Sequence, residues 1–111
     1  MKKSSSHFLM FGVEELLQKV GQNIKTARIR RNITIKELAN RSHVDERTIS
    51  RLEKGDTSIN FKNLVTVLMI FGLEDSVYDL ADPDADETGK ALELQRQPKR
   101  VRKMDQLSDD F

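Results

Sequence analysis

Apolar residues recur at helical spacing through most of the chain. Val13, Leu16, Leu17, Val20, Ile24 and Ala27 fall three or four apart, which predicts a helix over residues 13–31. Gly21 lies inside that pattern and is able to divide the helix, because an interior glycine costs roughly 1 kcal/mol. "RRNIT" breaks the pattern, with Asn32 suited to a left-handed C-terminal position. Thr34 followed by Glu37 has the spacing of a capping box, and Ile35, Leu38 and Ala39 give the second helix its inward face, ending near Ser42. "SHV" reads as a tight turn. Asp45 then caps a third helix over residues 46–54, and Gly55 stops it. Asn60 caps a fourth helix, "FKNLVTVLMIFG", apolar on nearly every side, which places it in the core or partly in a dimer contact. "LEDSVYDLA" is a short fifth helix. No strand pattern or internal repeat appears.

Beyond Ala81 the character changes. "DPDADE" is acidic, and Pro83 is expected to end regular structure. "GKALELQRQ" has the pattern for two helical turns, and Pro98 breaks it. Residues 82–111 hold six basic and eight acidic residues in blocks, too few apolar groups for a core of their own. The fold expected is all-α: a flexible N-terminus at 1–12, a five-helix domain at 13–81, and a charged, largely disordered C-terminal tail at 82–111. The apolar patch in "MKKSSSHFLMFGV" is too short for a secretory signal, and no run approaches the roughly 20 apolar residues that span a bilayer.

Composition narrows function by exclusion. There is no cysteine, which removes disulfides and thiolate metal sites and fits a reducing cytoplasm. His7 and His43 lie in separate segments, so no metal or other cofactor is expected. No phosphate loop, Ser-His-Asp set or convincing carboxylate pair is visible, so an enzyme is not expected. The net charge of +1 names no partner class, but its distribution does. From Arg28 to Lys54 there are eight basic and four acidic residues, a local excess of four positive charges.

That excess concentrates on the third helix. On a wheel of about 100° per residue, Glu46, Arg47, Ser50, Arg51 and Lys54 share one arc of roughly 140°. Thr48, Ile49, Leu52 and Glu53 lie opposite. Two short helices joined by a tight turn make a helix-turn-helix unit, whose second helix fits a DNA major groove about 12 Å wide. An arginine fork suits guanine O6 and N7, and a glutamate accepts from a cytosine amino group. A solvated charged face is the commoner meaning of any such arc taken alone. The capping box, the turn and the fourth-helix cap together favour DNA.

The stretch "VGQNIKTARIRRNITIKELANRSHVDERTISRLEKGDTSINFKNLVTVLMIFGL" resembles the phage-repressor-like (Cro-type, XRE-like) helix-turn-helix family over about half the chain. "TIKELANRSHVDERTISRLEKG" carries the strongest likeness. The resemblance implies a lambda-repressor-like bundle of five helices, a homodimer and a double-stranded DNA operator. It implies base reading by Glu46, Arg47, Thr48 and Arg51. Thr34, Lys36, Arg41, Ser50, Lys54 and Lys62 are then candidates for the DNA backbone, and Arg28 and Glu53 for a structural ion pair. Two positions depart from the family. Ile35 replaces a common Gln, which removes a phosphate contact. His43 replaces a Gly where the backbone needs a positive φ.

"GKALELQRQPKRVRK" resembles the tails of antitoxins paired with HipA-like kinase toxins. That likeness implies an autoregulating antitoxin, with Arg96, Lys99, Arg100, Arg102, Lys103 and Phe111 as candidate partner contacts. The alternatives are a stand-alone repressor or controller with no toxin, and an adaptor that kept the fold and lost DNA recognition. Phe71, Val77 and Tyr78 are candidate dimer contacts.

Overall fold

The computed structural model describes the backbone of residues 2–96 and the side chains of residues 9–96. Among the described residues the regular elements are all helices, without strands. They divide into two compact units at the Val77–Tyr78 junction.

The first unit opens with α1, Lys2–Arg30, a single 29-residue helix. It begins eleven residues before the expected Val13 and passes through Gly12 and Gly21 without a break. Gly21 therefore does not divide it. The reason for a glycine there is packing: a Cβ at Gly21 would lie 2.5 Å from the Leu52 carbonyl oxygen and 2.6 Å from that of Glu53. Only a residue without a side chain lets the two backbones approach so closely. The helix closes as the sequence indicates, with Asn32 at φ 54° and the Ile33 N–H donating to the Arg28 carbonyl at 3.2 Å.

Helices α2 (Ile35–Ser42) and α3 (Glu46–Glu53) follow, then α4 (Phe61–Ile70) and the one-turn α5 (Asp75–Tyr78). α3 packs against both α1 and α2, and α4 packs against α2. Leu38, Ile49 and Val67 are the fully buried centre, with Ile24, Ala27, Ile33, Val44, Leu52 and Phe71 around them. α4 sits less deeply than its composition suggests. Only Val67 is buried within it, while Phe61 and Met69 are more than half exposed.

Arg31 joins two helix ends. Its guanidinium donates to the Ala27 carbonyl at 3.0 Å and to the Phe71 carbonyl at 2.9 Å, and lies 5.1 Å from the Phe71 ring centroid. Phe71 is consequently buried and does not serve as a dimer contact, contrary to the expectation from sequence. Tyr78 is 82% exposed.

The second unit contains a 3-10 turn, Pro83–Ala85, and α6, Glu87–Arg96. Pro83 does not end regular structure; it opens that turn, where its fixed φ suits a first helical position. α6 is longer than the two turns expected. Asp86 accepts from the Gly89 N–H at 2.8 Å at its start. None of its residues is buried within the unit.

Candidate nucleic-acid interface

The α2–turn–α3 segment is fixed by side-chain caps at each junction. Thr34 Oγ1 accepts from the Glu37 N–H at 3.0 Å and starts α2. Asp45 Oδ1 accepts from the Thr48 N–H at 2.8 Å and starts α3. Bonds from the Thr48 N–H first, and then from its hydroxyl, hold the Asp45 carboxyl below its ordinary value. His43 between them has φ 57°, a left-handed conformation that histidine tolerates better than most residues.

Ser42 completes the turn, and the sequence reading had no role for it. It is 6% exposed; its hydroxyl donates to the Leu38 carbonyl at 2.7 Å and accepts from the Val44 N–H at 3.2 Å. A serine within two residues of a helix end, followed by a positive-φ position, was the available signal. Ser42→Ala should leave the buried Val44 N–H without a partner. A loss of about 1–2 kcal/mol is expected in urea unfolding; unchanged stability would show that water replaces the hydroxyl.

α3 is buried along one side by Ile49 and Leu52. Glu46, Arg47, Arg51 and Lys54 are exposed, while Thr48 and Ser50 are half-buried at the flanks. Glu53 points inward. Its carboxylate receives Arg28 Nε at 2.7 Å and Nη2 at 3.1 Å, a two-pronged pair, while Arg28 Nη1 donates to the Ile33 carbonyl at 2.9 Å. The Glu53 hydrogen bond raises the Arg28 pKa further above its already high value. One side chain thus ties α3 to α1 and to the loop before α2.

The end of α3 is equally constrained. Gly55 has φ 81°, and a Cβ there would lie 2.6 Å from the Gln18 backbone. Asp56 then performs two tasks. Its Oδ1 accepts from the Ser58 N–H at 2.8 Å and hydroxyl at 2.7 Å, and its Oδ2 lies 3.8 Å from Arg51 Nε. The Ser58 bonds, with a smaller contribution from Arg51, lower the Asp56 pKa. Asp56 was not singled out from sequence.

Residues 24–76 match the family described as helix-turn-helix. The match covers just under half of the chain, and the α2–turn–α3 arrangement inside it is a helix-turn-helix. Domains so described are DNA-binding regulator domains. No curated protein and no solved structure matches the chain. The helix-turn-helix domain takes in the end of α1 and all of α2, α3 and α4, and it leaves the first 22 residues of the matched helix's amino-terminal side, positions 2–23, outside.

Within the helix-turn-helix domain, Lys36, Arg41 and Lys62 are exposed, and Thr34 is exposed at the α2 cap. The Lys62 N–H donates to the Asn60 cap at 2.7 Å, at the start of α4. Ile35 is half-buried against the core, so this position supports packing where a polar residue would face outward. Arg96 lies in α6, in the other unit. Lys99, Arg100, Arg102, Lys103 and Phe111 lie outside the described residues. Among the described residues, no helix is long and apolar enough to cross a membrane.

Proposed function

We propose that this protein is a sequence-specific DNA-binding repressor that acts as a homodimer and serves as an antitoxin to a HipA-like kinase. The observation that carries the DNA-binding part is the outward arc of Glu46, Arg47 and Arg51 on a helix whose other side is locked into the core. In this reading those three side chains and Thr48 read base edges. Thr34, Lys36, Arg41, Ser50, Lys54 and Lys62 meet the sugar-phosphate backbone. Arg28 and Glu53 keep the reading helix at a fixed angle, and Asp45 and Ser42 set its starting point.

Backbone and base contacts differ in how they respond to salt. Lys54→Ala and Lys62→Ala are expected to weaken binding to all duplexes alike and to reduce the salt slope by about one each. Fluorescence-anisotropy titrations across an ionic-strength series check this. A loss confined to one sequence would move either lysine into the base-reading group.

The antitoxin part rests on the tail pattern "GKALELQRQPKRVRK". A HipA-like kinase encoded beside this gene should co-purify with the full chain, and removing residues 96–111 should weaken that complex while DNA binding persists. A complex that survives the truncation would count against Lys99, Arg100, Arg102, Lys103 and Phe111 as its contacts. The stand-alone repressor is the second reading. It is favoured by a helix-turn-helix domain whose core and caps are complete within residues 24–76.

A further inference from the structure

We infer that the amino-terminal half of α1 is the self-association surface of this protein, pairing in parallel with the same helix of a second copy. The inference rests on the homodimer reading above and assigns it a place. Leu9, Val13 and Leu16 are 66%, 49% and 67% exposed, and Met10 beside them is 64% exposed. They continue a stripe in which Val20 is half-buried and Ile24 and Ala27 are buried farther along the same helix. The stripe turns from core to surface because α1 outruns the domain it packs on: its crossing with α3 is at Gly21, and Gln18 is against Gly55.

The spacing selects the occupant. Positions 9, 13, 16 and 20 alternate by four, three and four, the a and d register of a coiled coil. Val13 and Val20 fall at a, and Leu9 and Leu16 at d. β-branched residues at a with leucine at d favour parallel two-stranded pairing. A second copy supplies the matching register at no other cost. The flanking e and g positions are Met10, Gly12, Leu17 and Lys19, so no like charges face each other across a parallel seam. Glu14 and Glu15 fall at b and c, away from it.

The strip is continuous with the domain. The strip merges with an apolar hollow lined by Leu17, Val20, Ile59, Phe61 and Leu64. Together they make one continuous exposed apolar strip, and such patches mark interaction surfaces. Association in the micromolar range is expected. A parallel two-fold axis also brings both copies of α3 to the same end of the pair, as two DNA half-sites on one duplex require.

The test is sedimentation equilibrium of the full chain without DNA. Wild type should be dimeric at tens of micromolar. The double variant Leu9→Glu/Leu16→Glu should weaken association about 100-fold or more, since it places a charge in the seam at two levels. Phe11→Glu, at the outward f position, should leave the dimer intact. Circular dichroism should show folded helix in all three. Direction is read by Leu9→Cys, which is free of background because the chain has no cysteine. Under oxidised glutathione a parallel pair forms the interchain disulfide, and an antiparallel one does not. A monomeric wild type, a dimer indifferent to the double variant, or a dimer lost in Phe11→Glu would overturn the assignment. A dimer lost in the double variant without cross-linking of Leu9→Cys would overturn the parallel direction. A monomeric double variant that still binds a single half-site leaves the DNA reading standing. An intact dimer that ignores DNA refutes that reading alone.

Discussion

Gly21→Ala should destabilise the protein by about 2–3 kcal/mol, although alanine is the better helix former by roughly 1 kcal/mol. The added Cβ would meet the Leu52 oxygen at 2.5 Å, the Glu53 oxygen at 2.6 Å and the Glu53 carbonyl carbon at 2.8 Å. These are backbone atoms of α3, which cannot rotate aside as a side chain does. Relief therefore requires α1 and α3 to separate, which strains the Arg28–Glu53 pair and opens the packing around Ile24 and Leu52. Overpacking of this kind costs about 1–3 kcal/mol, occasionally more. Gly12 is the matched control: nothing lies within 4 Å of a Cβ there, so Gly12→Ala should be neutral or stabilising by up to roughly 1 kcal/mol. Urea unfolding of both variants checks the contrast. Gly21→Ala as stable as Gly12→Ala would mean that the two helices do not cross where the structure places them.

Arg47→Ala and Arg51→Ala should each cost about 1–3 kcal/mol at a preferred DNA site and relax the base preference at the position each one reads. Both side chains are exposed, so stability should hardly change. Arg51 gives the sharper test. Its Nε lies 3.8 Å from Asp56 Oδ2, and its side chain stays about half exposed. Arg51→Lys keeps the charge and lacks the planar fork. It should therefore retain affinity for non-specific duplex and its salt dependence while losing discrimination. Equal losses on specific and non-specific DNA would make Arg51 a phosphate contact. Unaltered binding in all three variants would remove α3 from the interface.

Much of this was legible in the chain because it was written locally. Thr34, Asp45 and Asn60 announce their helices through cap chemistry, and the structure shows each of them accepting an N–H near the helix start. Asn32 was legible as a left-handed position from the break it occupies, and His43 from the family resemblance, which has a Gly there. Glu53 stood out as an acid on an apolar side. Part of what escaped the sequence was nonlocal. Gly21 carries the signature of a helix breaker and is explained only by α3, thirty residues away. Phe71 looked like an exposed end-of-helix aromatic until Arg31, forty residues earlier, covered it. Ser42 and Asp56 act through hydroxyl and carboxylate geometry that composition does not record. α4 misled for a related reason: an all-apolar helix implies burial, yet this domain has too few partners to cover Phe61 and Met69.

The claim beneath the functional reading is that Glu46, Arg47 and Arg51 select a DNA sequence together. Selection of duplexes from a random pool by the purified chain at physiological salt tests it most directly. The expected result is enrichment of one motif with two-fold symmetry, lost when Arg47 and Arg51 are both alanine while weak, salt-sensitive binding to any duplex remains. A pool that stays random, or a motif selected equally well by the double-alanine variant, would contradict it.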